Sequence, residues 1–139
     1  MIDASCPLCQ ARNENVLWHE ATLRVVQVGD PDYPGFCRVI LNRHAKEMTD
    51  LPPAERLHLM QAVFAVEAAL RELLHPDKVN LASLGNQVPH LHWHVIPRFA
   101  DDKHFPDPVW ANAQRAGHAH PVDAARLKQV IARHLANAI

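Results

Sequence analysis

The chain has 139 residues, with 14 Lys plus Arg against 15 Asp plus Glu, and a formal net charge of −1 with histidine neutral. That length suits one domain with one real core, and the charge gives no electrostatic basis for holding long nucleic acids, though a small anionic ligand needs only local donors. No apolar run is long enough to span a bilayer, and Met1-Ile2-Asp3-Ala4-Ser5 lacks the basic start and apolar run of a signal peptide, so a cytoplasmic protein is expected.

Residues 1–15 read as irregular apart from Cys6-Pro7-Leu8-Cys9. In a cytosolic chain a C-x-x-C is half a zinc site or a redox pair before it is a structural disulfide. Val16–His19 and Leu23–Val28 are short β-rich runs, with Glu20-Ala21-Thr22 as the hairpin turn. Gly29–Gly35 is a loop by composition, and Phe36–Leu41 is the next strand, ended by Asn42-Arg43-His44. Cys37 lies in that apolar run and is expected to be an inert buried thiol.

Thr49 or Asp50 is the expected cap of a helix from about Ala54 to Leu74, with Pro52 and Pro53 confined to its first turn. Leu57, Met60, Val63, Phe64, Leu70, Leu73 and Leu74 follow the 3/4 spacing of a core-facing stripe. His75-Pro76 stops the helix. Lys78–Ser83 reads as a strand, Leu84-Gly85-Asn86-Gln87 as a tight turn, and Val88–Pro97 as an antiparallel partner strand. Residues 99–120 form a long loop, and Val122–Ala138 an amphipathic helix. The order predicts an α+β fold, an antiparallel sheet of about five strands with two helices packed against it.

The chemistry concentrates in His90-Leu91-His92-Trp93-His94-Val95-Ile96. On a strand, alternation puts three imidazoles on one face and Leu, Trp and Val on the other. A helix would scatter both sets. Three readings fit such a face: solvated polar residues, a metal site of His-x-His spacing, or a histidine nucleophile that splits one displacement at phosphorus into two easier ones.

Those seven residues match the signature His-φ-His-φ-His-φ-φ in full, and the chain resembles the histidine triad (HIT) family of nucleotide hydrolases and transferases over about residues 6–100. The resemblance implies a single HIT-like domain over 1–139, with 101–139 a loop plus C-terminal helix. It implies cleavage at the α-phosphate of a (di)nucleoside polyphosphate or nucleoside phosphoramidate through a nucleotidyl-histidine. His92 would be the nucleophile and His94 its phosphate partner. Asn86 and Gln87 would be phosphate contacts, and Asn80 and Asp30 would lie near ribose or phosphate. The alternative function is a nucleotide-binding regulatory module with little turnover. Homodimers are also implied, in which Trp110 lines the partner's pocket or packs locally.

Two departures bear on substrate. Phe36 stands where many members carry histidine after Pro-Gly, and the loop between Asn80 and His90 is short. Some relatives, galactose-phosphate uridylyltransferases among them, hold zinc through positions matching Cys6, Cys9, His44 and His90. By that resemblance a structural zinc is implied, with free thiols as the competing reading. Arg98 is expected to meet a polyphosphate or a surface carboxylate.

Overall fold

A computed structural model describes residues 2–138. Its elements are α1 (Pro7–Gln10), β1 (Asn15–His19), β2 (Leu23–Gln27), β3 (Cys37–Leu41), α2 (Pro53–Leu74), β4 (Lys78–Ala82), β5 (His92–Arg98) and α3 (Ala124–Ala138). The five strands make one antiparallel sheet in the order β1-β2-β3-β5-β4, so the expected α+β architecture is the observed one. No helix among the described residues is long and apolar enough to cross a membrane.

Register decides what each face carries. Along β5, Trp93 and Val95 turn toward α2 and α3 with Val25, Val39, Leu41 and Val79, and these form the main core. The opposite face presents His92, His94, Ile96 and Arg98, as period-two alternation requires. On that face Arg38 of β3 stands opposite His94 and Ile40 opposite His92. From β4, Ala82 stands opposite His94 and Asn80 opposite Ile96.

Four features differ from expectation. First, β5 begins at His92, not Val88. Pro89 has no N–H to give a ladder, and the chain before the strand instead turns tightly, with His90 N–H donating to Val88 O at 2.8 Å. Second, the N-terminus is not wholly irregular. Pro7 at the first helical position and a left-handed Ala11 (φ 53°) frame the single turn α1. Third, neither Thr49 nor Asp50 caps α2. Residues Met48–Asp50 form their own 3₁₀ turn with reciprocal Glu47 and Asp50 caps, and Pro52 precedes α2 without a side-chain cap.

Fourth, the buried face of α2 coincides only in part with the stripe of large residues, sharing Val63 and Leu70, with Met60, Leu73 and Leu74 packed against the core. It consists of Leu59, Ala62, Val63, Ala65, Val66, Ala69 and Leu70, while Leu57 is 60% and Phe64 54% exposed. Alanines bury no bulk of their own, yet they let the helix approach α3 and the sheet closely. A reading weighted toward large side chains overlooks the alanines and turns Leu57 and Phe64 inward.

The segment after β5 contains no helix or strand until α3, yet it is pinned. Arg98 is 2% and Asp102 1% exposed, and the two form a bidentate pair at 2.9 and 3.0 Å. Arg98 therefore meets a carboxylate in the interior rather than at the surface. Asp102 also accepts the backbone N–H groups of Phe99, His104 and Phe105 and the hydroxyl of Tyr33. Cys37 is fully buried, which pushes its thiol up to about 12, consistent with an inert group.

Candidate active site

His92 is held by the backbone immediately before it. Its Nδ1 lies 2.6 Å from His90 O. A carbonyl only accepts, so Nδ1 carries the proton and Nε2 keeps its lone pair. Ser83 Oγ donates to His92 O at 2.8 Å and fixes the start of the strand. Burial, opposed by the bond to His90 and reinforced by the charge of Arg38, keeps the His92 imidazole below its ordinary value, hence neutral.

His94 is 4.9 Å from His92 between ring centroids, edge-on, and is flanked by Phe36 at 5.6 Å and Trp110 at 5.0 Å. Trp110, 52% exposed, thus packs against a histidine of its own chain. Burial first, then the neighbouring His92 and Arg38, lowers His94 to about 4. Below the unfolded value of 6.5 the unfolded chain binds a proton that the folded one refuses until about pH 4. Stability is therefore expected to fall as pH drops through that window. Urea midpoints measured across it should decline for the native chain and decline less for His94→Asn.

His92 and His94 open on a cavity of about 350 Å³ whose wall includes Arg38, Leu84, Gly85, Asn86, Gln87 and Trp110. Asn86 and Gln87 are brought to the two histidines. Asn80 and Asp30 are not among the cavity's lining. Asn80 Oδ1 accepts from Arg98 Nη1 at 2.8 Å, and its side chain lies along an adjoining cleft with Pro106, Pro108 and Trp110. Asp30 closes a turn on Asp32 N at 2.9 Å. A spacing argument places a residue on a strand or loop but does not show which neighbour takes its polar atoms. Sequence reasoning does not single out Arg38. A single basic residue in an apolar strand gives no motif, and only the ladder puts it beside His94.

The third histidine turns elsewhere. His90 is fully buried and its Nε2 lies 2.6 Å from Leu41 O, which leaves an Nδ1 lone pair facing Cys6 Sγ at 3.3 Å and Cys9 Sγ at 3.4 Å. His44 Nδ1 is 3.5 Å from Cys9 Sγ, and the four candidate ligand atoms lie within 4.8 Å of one another. The set fits zinc. Tetrahedral bonds of about 2.3 Å to sulfur and 2.05 Å to nitrogen separate S and N by about 3.5 Å. A ligating imidazole ordinarily donates its other N–H to a carbonyl, as His90 does to Leu41. Among the described residues Asp101, His118 and His120 also cluster, at the surface, with His120 stacked on Phe99.

A family model described as the HIT domain matches residues 10–101, and the chain belongs to the HIT family. A histidine triad protein from Bradyrhizobium japonicum is 32% identical, with 90% of this chain and 91% of that chain covered and a TM-score of 0.68. One from Marinobacter aquaeolei VT8 is 26% identical over 93% of each chain, at a TM-score of 0.73. A zinc-bound histidine triad family protein from Mycobacterium smegmatis, 21% identical over 96% of this chain and 94% of that one, shares the fold at a TM-score of 0.64. Among curated proteins, the asymmetrical bis(5'-nucleosyl)-tetraphosphatase of Schizosaccharomyces pombe is 29% identical over 90 residues, 61% of this chain. The chain spans about half the length of that relative, 50%.

Proposed function

We propose that the protein cleaves nucleotides at the α-phosphorus through a covalent intermediate on His92. The observation that carries this is the bond from His92 Nδ1 to His90 O, which supports a neutral ring with Nε2 as the nucleophilic atom. The Nε2 lone pair attacks phosphorus as the bond from phosphorus to the leaving group breaks. The leaving group departs with that electron pair and takes up a proton. His94, beside the same cavity, is positioned to contact the phosphoryl oxygens and serve the leaving group's proton. The amides of Asn86 and Gln87 donate to the developing charge. Water then attacks phosphorus, the P–N bond breaks, and His92 regains its lone pair as a nucleoside monophosphate leaves. The curated relative, a tetraphosphatase by its description, supports this class of chemistry.

Incubation with diadenosine polyphosphates and with adenosine phosphoramidates tests the reading by monophosphate release. Nucleotide binding without release would favour the regulatory module. A homodimer is part of the same reading. The exposed Leu57 and Phe64 of α2 and the free edge of β4 support it, and light scattering on a sizing column should return twice the chain mass of 15.6 kDa.

Cys6, Cys9, His44 and His90 would hold a structural zinc, which supplies folding energy rather than reaction chemistry. It would tie α1 to the end of β3. Purified protein is expected to carry about one zinc per chain, and Cys6→Ser or a strong chelator should remove it and lower the melting temperature by several degrees. Zinc well below half an equivalent, with Cys6→Ser unchanged in stability, would leave free thiols as the correct reading.

A further inference from the structure

Among the described residues, Arg38 supplies the one guanidinium lining the histidine cavity. It stands on β3 opposite His94 in the ladder, half-buried, in the wall of the histidine cavity. Its Nε is buried with no hydrogen-bond partner, and among the described residues no carboxylate pairs with it. Glu14 acts on it through charge without a hydrogen bond, since both Glu14 oxygens are taken by Arg24, at 2.7 and 2.8 Å. His94 Nδ1, on the same cavity, is likewise buried and unpartnered. The neighbouring groups that could share the charge are neutral: two imidazoles, two side-chain amides and the Phe36 ring, whose centroid lies 6.0 Å from the guanidinium carbon.

A guanidinium held partly out of water with no hydrogen-bonded carboxylate is costly, and an anion with planar or tetrahedral oxygens removes that cost through paired, charge-assisted hydrogen bonds. Surface arginines escape by turning to solvent, but this one has its Nε enclosed. It is also on the strand next to the proposed nucleophile, two residue pairs from His92 along the ladder and on the same face.

We propose that Arg38 is a substrate-binding residue that receives a phosphate group adjacent to the one attacked, so that the site selects nucleoside polyphosphates over phosphoramidates. This rests on the His92 reading above. A polyphosphate brings a second anionic phosphoryl group to the guanidinium. A phosphoramidate carries an amine there and gains nothing from it.

The test compares kcat/KM for diadenosine tetraphosphate and for an adenosine phosphoramidate in the native protein, Arg38→Gln and Arg38→Lys. Arg38→Gln is expected to lose about 10²–10³-fold on the polyphosphate and less than about fivefold on the phosphoramidate, with Arg38→Lys intermediate because it keeps the charge but not the paired donors. Equal losses on both substrates would place Arg38 on the attacked phosphate and overturn the proposal, as would no loss on either. If the native protein cleaves neither substrate, the nucleophile reading fails, and calorimetric titration with inorganic tripolyphosphate still decides the subsite. Binding that is lost in Arg38→Gln upholds the anion site, and binding that is unchanged removes it. Circular dichroism and melting of each variant confirm that a folded chain is being compared.

Discussion

His92→Ala is expected to lower turnover by roughly 10⁴–10⁶-fold, the range lost when a nucleophile that works in concert with its neighbours is removed. The expectation rests on two bonds to the same residue. Its ring is oriented by His90 O, and its own carbonyl is fixed by Ser83 Oγ. The first disappears with the side chain; the second is retained. The strand therefore stays in register, since β5 pairs with β3 and β4 through backbone that alanine keeps. His92→Asn fills more of the space and should be equally inactive, because an amide nitrogen has no lone pair to offer phosphorus. The check is monophosphate release under saturating substrate, beside melting curves that match the native protein. Near-full activity in either variant would move the nucleophile elsewhere.

Asp102→Ala is expected to be the most destabilising single change in the chain, costing about 3–5 kcal/mol. Its carboxylate is 1% exposed and joins Arg98 by two bonds, three backbone N–H groups and the Tyr33 hydroxyl. Removing it leaves the Arg98 guanidinium buried with only Asn80 Oδ1 and Asp107 O as partners. A buried charge that loses its partner costs more than the pair contributed. The pair with Arg98 and the backbone bonds overcome burial and hold this carboxyl well below the usual carboxylate range, so it stays ionised across ordinary pH. Urea unfolding should show the loss as a lowered midpoint at unchanged slope, and a loss under about 1 kcal/mol would contradict the account. The consequence reaches the site. The segment that Asp102 anchors carries Trp110 to His94, so the variant should also weaken nucleotide binding.

The sheet and the triad were legible because both depend on periodicity. Alternating histidines between Leu, Trp and Val permit one pleated arrangement, and the sheet face they occupy follows. His90 departs from its companions for a reason the pattern does not contain. Pro89 delays the strand, and the ring is taken by Leu41 O and the two cysteines. His90 thus serves both sites at once, its ring among the cysteines and its carbonyl on His92.

What the sequence hid was pairing across distance. Asn80 gives its amide oxygen to Arg98, a pairing that spacing does not reveal, while the residue lines the cleft beside Trp110. Arg98 itself looks like a surface cation until Asp102 buries it. The alanine face of α2 was invisible to a search for large apolar residues, and it left Leu57 and Phe64 facing out. Arg38 is the converse case, in which an ordinary strand residue becomes significant only because Glu14 is already engaged by Arg24.

A covalent bond from His92 to phosphorus can be trapped. The protein is mixed with a diadenosine polyphosphate, quenched rapidly at alkaline pH and digested with trypsin, and the fragment Val79–Arg98, which holds all three triad histidines, is sequenced by mass spectrometry. The expected result is a mass gain of one nucleoside monophosphate less water, located on His92 and absent from His92→Ala. The same gain on another residue, or none while monophosphate accumulates, would contradict it.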